Sequence, residues 1–543
     1  MIKLRQWPVI FSSWFQAAVL WTGLISGVYA LEKPVPVPVP EPEPTADHSK
    51  FDVLKGPFMT GPDVTRTCLS CHTEAAKQIM KTTHWTWEMV NPQGQRLGKR
   101  HVVNNFCTAV SSNEARCSAC HIGYGMKDRN FDFTIETNVD CLVCHDTTGK
   151  YKKFVAGAGH PVYKEVEFPP GSGKILKPVD LAAVAQEVGK TSRRSCGNCH
   201  FSGGGGDSVK HGDLDPSLTK PDSDLDVHMD AKGLNFTCAT CHEPVNHNIP
   251  GSRYTVQAKD LGPVKIPGRK QANRTSCESC HGIAPHGAKL FGYIPIDVQL
   301  NGHVHKVACE TCHIPTVARL EPTKIWWDWS TAGKKSPDGK HFKKKDEEGN
   351  EIYDTKKGDF KWTMDLVPEY VWFNGMIDYT TLQTKLDDSK TVLINAPRGE
   401  YRDPGSRIWP MKRFQGKQPY DKVNKTLVVP HVAGDDDAAY WKNLDWDKAI
   451  RAGMQSAGAP YSGQYGFLRT DMFWPQTHMV APAKDALVCE SCHSREGRLA
   501  SLSGFYIPGR DHSRVLDTLG ALLLVGSLVG VGAHATMFRK SRR

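Results

Sequence analysis

Eight copies of one pentad, Cys-x-x-Cys-His, constrain this chain more than any other feature. They set Cys68 and Cys71 before His72, Cys117 and Cys120 before His121, Cys141 and Cys144 before His145, and Cys196 and Cys199 before His200. The rest set Cys238 and Cys241 before His242, Cys277 and Cys280 before His281, Cys309 and Cys312 before His313, and Cys489 and Cys492 before His493. Of seventeen cysteines only Cys107 stands outside. A chain of 543 residues can bury a sizeable core without disulfide staples. A thioredoxin-type motif would occur once or twice, and zinc knuckles would not follow every cysteine pair directly with its own histidine. Two thiols at this spacing reach the two vinyl groups of one porphyrin, and the next residue is its proximal ligand. The pattern predicts eight covalently bound c-type haems.

Seven pentads crowd into residues 68–313, and 175 residues then pass before Cys489. Little chain separates the first seven, so porphyrin must supply much of the core. Sheet-forming alternation is scarce, while Asp180–Lys190 and Asp437–Ala457 carry helical spacing. These features predict a mainly α fold, a multihaem cytochrome c domain packed around eight haems. The Lys-rich stretch 334–361 reads as an exposed hairpin or loop.

The formal charge is +10. Lys3 and Arg5 precede an apolar run, and Arg539, Lys540, Arg542 and Arg543 end the chain. Two propionates per haem would turn the remainder acidic, which argues against a nucleic-acid partner. Residues 1–30 read as a secretory signal, with an uncleaved anchor as the alternative. Residues 31–59 form a proline-rich linker, 60–510 the octahaem domain, 511–538 a transmembrane helix and 539–543 a basic tail. The positive-inside rule puts that tail in the cytoplasm and the haem domain in the periplasm, anchored to the inner membrane.

Fifteen histidines remain beyond the eight proximal ones. His48 lies at the linker end, and His512 and His534 lie beside or in the tail helix. Low-spin haems take a second axial ligand, usually histidine. The candidates are His84, His160, His211, His247, His286, His303 and His478, seven if one haem keeps an open face for substrate. His101 and His341 read as surface residues. Cys107, ten residues before Cys117, is either an inert buried thiol or a thiol above the second haem, reactive if its pKa is lowered. After the third pentad comes DTTGKYKK, whose lysines are solvated by default, although a buried neutral amine can ligate iron.

These residues resemble the octahaem tetrathionate reductase family, related to hydroxylamine oxidoreductase. The likeness rests on CLVCHDTTGKYKK (141–153), SCESCHGIAPH (276–286), EPTKIWWDWSTAGK (321–334), YSGQYGF (461–467) and HMVAPAKDALVCESCH (478–493). It covers about residues 60–505. The resemblance implies a catalytic second haem with a lysine ligand, Lys153 or Lys152, and Cys107 beside it. It implies bis-histidine ligation of the other seven. All eight pentads end in histidine, so the motif lysine of pentahaem nitrite reductase is absent.

The expected function is a membrane-anchored periplasmic reductase of small sulfur or nitrogen oxo-compounds: tetrathionate, nitrite or hydroxylamine. Its expected partners are such a substrate, the membrane, a quinol-oxidising membrane protein or periplasmic cytochrome, and a second copy in a homo-oligomer. The alternatives are a non-catalytic haem wire to the quinone pool and a hydroxylamine oxidoreductase.

Overall fold

A computed structural model describes residues 45–254, 275–287 and 294–541, with short strand pieces at 28–29 and 289–290. Residues 1–27, 30–44, 255–274, 288, 291–293 and 542–543 lie outside the described residues, and with them nearly all of the signal and the first part of the proline-rich linker. The chain parts into two compact units. The larger holds residues 36–282 and 307–486, and the smaller holds 1–35, 283–306 and 487–543.

Among the described residues of the larger unit up to His313, the regular elements are short. Each pentad closes about one helical turn, as in Leu142–His145, Arg193–His200 and Cys309–His313. Backbone bonds run from His72 N to Cys68 O (2.8 Å), His145 N to Cys141 O (3.1 Å) and His242 N to Cys238 O (2.9 Å). Positions i, i+3 and i+4 of a turn share one face, so both thiols and the imidazole point the same way. Asp180 caps the helix Leu181–Gln186, inside the stretch with helical spacing. Apolar cores here are small, as in the group of Trp85, Ala76 and Val139.

The 175-residue stretch after the seventh pentad behaves differently, and it corrects the mainly α expectation. It builds a nine-stranded sheet from β1 (Thr323–Asp328), β2 (Lys343–Lys345), β3 (Glu351–Asp354), β4 (Gly358–Thr363), β5 (Glu369–Phe373), β6 (Val392–Leu393), β7 (Arg407–Asp421), β8 (Thr426–Leu427) and β9 (Tyr465–Pro475). The order is β2-β3-β4-β1-β7-β9-β6, with β5 and β8 also pairing β7. β7 is the spine: it runs antiparallel to β9 from Met411↔Pro475 to Asp421↔Tyr465 and parallel to β1 at Trp326↔Gln415. Ile408, Trp409, Pro410 and Met411 are all buried in succession, so β7 is covered on both faces. Such a strand loses the in–out alternation that marks a half-exposed sheet, which is why the sequence pattern hid it. The Lys-rich stretch does form an exposed hairpin, β2 to β3.

The helical reading of Asp437–Ala457 resolves into Tyr440–Asn443 and α1 (Trp446–Ala457), broken where Leu444 turns left-handed at φ 59°. Asp445 caps α1, and Gly458 ends it at φ 66°. In the smaller unit, α2 (Arg514–Ser541) is long and apolar enough to cross a membrane by length and composition, and its apolar window is wholly unburied.

Candidate haem centres and substrate site

Among the described residues, six pentad histidines face a second histidine. Ring centres stand 6.2 Å apart for His72 and His48, 6.5 Å for His145 and His247, and 6.2 Å for His200 and His84. They stand 6.3 Å apart for His242 and His478, 6.0 Å for His281 and His228, and 6.0 Å for His493 and His303. Stacking or edge contact would accept a range of separations. Two imidazoles on opposite sides of one iron have a set one, about 6 Å, from two metal–nitrogen bonds of about 2 Å and the ring radii. The residues present therefore fit haem.

The outer contacts fit too. His145 Nδ1 lies 2.8 Å from Gly189 O, His242 Nδ1 2.9 Å from Pro250 O, and His493 Nδ1 3.0 Å from Pro508 O. On the other side, His247 Nδ1 meets Gln78 Oε1 at 2.8 Å and His478 Nδ1 meets Asp213 Oδ2 at 3.0 Å. A ring that donates from Nδ1 presents Nε2 as the ligand, and the acceptor fixes its orientation.

Neighbouring pentads touch through their thiols. Cys68 meets Cys141, Cys120 meets Cys199, Cys196 meets Cys238, and Cys277 meets Cys309. The first and third, second and fourth, fourth and fifth, and sixth and seventh attachment sites are therefore adjacent, as electron transfer between them requires.

Two expected ligands lie elsewhere. His160 stacks on Tyr124 at 5.3 Å, with its Nδ1 2.8 Å from Tyr163 Oη. His211 packs edge-on to Trp474 at 4.6 Å. The histidines that do stand opposite pentad histidines include His48, placed at the linker end by the sequence, and His228, outside the candidate set. The signal for His48 was the Asp47 cap that starts a short helical turn there. His286 sits in the smaller unit, its backbone N 3.0 Å and its Nδ1 3.1 Å from Asn301 Oδ1. His101 pairs with Glu88 at 2.5 Å, and His341 is exposed, as surface residues do.

His121 has other surroundings. Its Nε2 lies 2.6 Å from Trp85 O, its Nδ1 is buried without a hydrogen bond, and the rings around it are Trp85, Trp87, Phe131 and Phe133. Lys153 is the cation beside it. Its side chain is 2% exposed, and its Nζ donates to His121 O and to Gly123 O (3.0 Å) and pairs with Asp140 Oδ2 at 3.1 Å. Tyr124 and Tyr151 donate to the same carboxylate at 2.7 and 2.8 Å. Lys152 is exposed.

Cys107 belongs to a tight turn closed by the Val103↔Ala109 bridge. Trp329 Nε1 donates to its carbonyl at 2.7 Å. A Cβ on Gly204 would stand 2.2 Å from Cys107 Cβ, so only glycine lets these backbones approach. Cys107 and Cys117 are close enough to interact electrostatically. Burial pushes the Cys107 thiol up, and the charges of Lys357, Lys324 and Arg116 offset this only in part. The lowered pKa that a reactive thiol needs is not what this pocket supplies.

Sequence reasoning missed Lys324. It is 2% exposed, and its Nζ lies 3.6 Å from the Phe360 ring centre, 4.4 Å from Trp327 and 4.9 Å from Trp362. The sheet explains this cage: β1 sets Lys324 directly opposite Trp362 of β4, and Trp327 opposite Phe360. Burial lowers the Lys324 pKa to about 7. Lys210, whose Nζ reaches Cys199 O at 3.2 Å, is lowered to about 7 by burial and by the Lys99 charge. The tryptophans of TKIWWDW were the available signal, because strong cation–π partners clustered around one lysine are unusual.

A solved structure described as octahaem cytochrome c from Shewanella oneidensis is 42% identical to this chain. It covers 84% of this chain and 95% of its own, with a TM-score of 0.71. The chain belongs to the octahaem c-type cytochromes. As such it carries eight covalently bound haems. A family model described as bacterial cytochrome c matches residues 324–496 of this octahaem cytochrome, the sheet and the last pentad. An uncharacterised protein from Archaeoglobus fulgidus is 25% identical over 242 residues, 37% of this chain and 80% of its own.

Proposed function

We propose that this octahaem cytochrome is a membrane-anchored, exported reductase of small sulfur or nitrogen oxo-compounds. The reading rests on one observation: six pentad histidines face a second histidine among the described residues, whereas His121 is ringed by Trp85, Trp87, Phe131 and Phe133 and has the enclosed Lys153 beside it. In this reading the other pentads hold electron-transfer haems. Axial ligation by His48, His84, His228, His247, His303 and His478 is proposed from their spacing.

The bound haem supplies one-electron transfer and a coordination site. The chain's own residues supply the rest. Lys153 is the proposed ligand on the second haem, favoured over Lys152 because its amine is enclosed. Asp140, held by two tyrosine hydroxyls, positions that amine. Lys99, Arg116, Lys324 and Lys357 surround the Cys107–Cys117 region with positive charge, which attracts an anion and stabilises charge that develops on it. Cys107 lines the pocket as a neutral thiol. Tetrathionate would take two electrons, break its central sulfur–sulfur bond and leave as two thiosulfates.

The test is anaerobic reoxidation of the reduced holoprotein by tetrathionate, nitrite and hydroxylamine side by side. At least one should reoxidise every haem within the stopped-flow record. No reoxidation by any of them leaves the second reading, a haem wire, which the thiol-to-thiol contacts favour. The wire predicts an EPR spectrum without a ligand-exchangeable haem.

A further inference from the structure

The smaller unit holds one complete histidine pair, His303 and His493, and the apolar helix α2. What joins them is not slack chain. His493 Nδ1 donates to Pro508 O at 3.0 Å. A Cβ on Gly509 would lie 2.3 Å from His493 O, so the strap 494–511 returns hard against the pentad. Arg510 locks the strap. Its guanidinium, 9% exposed, donates to Leu499 O (2.9 Å), Leu502 O and Phe505 O (2.9 Å), and pairs with Asp511 at 2.7 Å. Asp511 in turn accepts from Ile507 N at 2.7 Å. His512 and Ser513 alone separate the pinned Asp511 from the first residue of α2, and Arg495 bonds His512 across that gap. Ser513 starts the helix, accepting at its carbonyl from Asp517 N at 2.8 Å.

Five residues lie between Pro508 and Arg514, six Cα steps that span at most about 20 Å. If α2 crosses the bilayer, Arg514 sits at the lipid surface, because the apolar window begins there and the basic cluster from Arg539 onward marks the other side. The carbonyl that orients His493 is then tied to the membrane surface by a short, hydrogen-bonded arm. A flexible tether would let any face of the protein approach a membrane partner. A pinned one selects the face that carries His303 and His493.

We propose that the His303–His493 pair and the strap 494–511 form the electron port of this protein, through which it exchanges electrons with a redox protein embedded in the same membrane. The inference rests on α2 being membrane-spanning and names the site at which the membrane partner docks. The other five described histidine pairs belong to the larger unit.

The full-length holoprotein is reconstituted in liposomes, and flotation is checked first. A ruthenium photoreductant carrying an alkyl chain is placed in the lipid, with its water-soluble analogue as the comparison. In His303→Ala the haem opposite His493 opens to cyanide, which lowers its potential. Cyanide should slow flash reduction of the remaining haems about tenfold or more from the lipid-held donor and leave the water-soluble donor's rate unchanged. The unsubstituted protein with cyanide is the control. Should His303→Ala lose haem, His303→Met keeps a sixth ligand and gives an iron–sulfur charge-transfer band. That band should bleach ahead of the other haems with the lipid-held donor, and in step with them with the soluble one. A chain that does not float overturns the anchor and the port together. A chain that floats but shows equal effects with both donors overturns the port alone.

Discussion

The pentad segment, residues 45–313, and the sheet segment, 323–475, solve the burial problem in opposite ways. The first has short elements and separate, smaller apolar groups, one of nine buried residues around Tyr124 and Leu142 and one of Ala76, Trp85 and Val139. The second builds a continuous core in which Trp327, Phe360, Trp409, Phe414, Met472 and Trp474 are buried together. A covalent porphyrin replaces side chains as core filler in one segment, and side chains do the work in the other. The sheet then serves the haem segment as a rigid wall: Trp329 holds Cys107, and Asn105 Nδ2 donates to Phe414 O at 2.8 Å and Thr470 O at 3.2 Å.

The largest expected effect breaks the two apart. Chain produced without haem attachment should be cut by protease throughout 45–313, while 323–475 persists as a resistant fragment. Equal digestion of both would sink the contrast. Next, Trp327→Ala removes a fully buried ring from the sheet core and should cost about 3–5 kcal/mol. Thermal melts should fall accordingly, while the haem absorption below the transition stays that of the unsubstituted protein; an altered spectrum at low temperature would mean that the haem segment depends on this core locally.

A smaller effect sharpens the boundary between the segments at Lys324. Its native pKa, near 7, lies below its unfolded value of 10.5, so between those values the unfolded chain binds more protons and stability rises with pH. The contribution is least below pH 7 and is gained upward from there. From pH 7 to 9 the unsubstituted protein should gain about 1–2 kcal/mol relative to Lys324→Met, since the aromatic rings partly favour the charged form. Parallel pH–stability curves would show that the cage holds an ordinary lysine. The smallest effect is Asp445→Ala, which removes the cap of α1 by Lys448 N and should cost about 1 kcal/mol in chemical denaturation without touching any haem band.

The attachment chemistry was legible because it is local. Cys-x-x-Cys-His lies within five residues, one helical turn aligns it, and no distant contact is needed. The same locality let the sequence settle the number of haems, the helix Leu181–Gln186 and the apolar stretch of α2. The pairing of histidines was not legible, because His48 meets His72 while His478 meets His242, 236 residues away in the chain. Composition supplied enough histidines but no register, and His160 and His211 were as plausible as His48 and His228. The sheet was hidden for a related reason: β7 is buried on both faces and carries Lys412, whose Nζ is satisfied by Val209 O at 2.9 Å and Thr323 Oγ1 at 2.6 Å. A pattern rule sees a charge there and no alternation.

The sequence alone thus determined what is covalent and short-range: eight haem-attachment pentads with their sixteen cysteines and eight histidines, one spare thiol and an apolar span near the C-terminus. Tertiary structure decided which histidine stands opposite which and which lysine is enclosed. It also decided that Cys107 sits half-buried in surroundings that push its thiol up rather than down. Each of these depends on burial and on contacts between distant segments, and burial is a property of the packed chain that no local pattern carries.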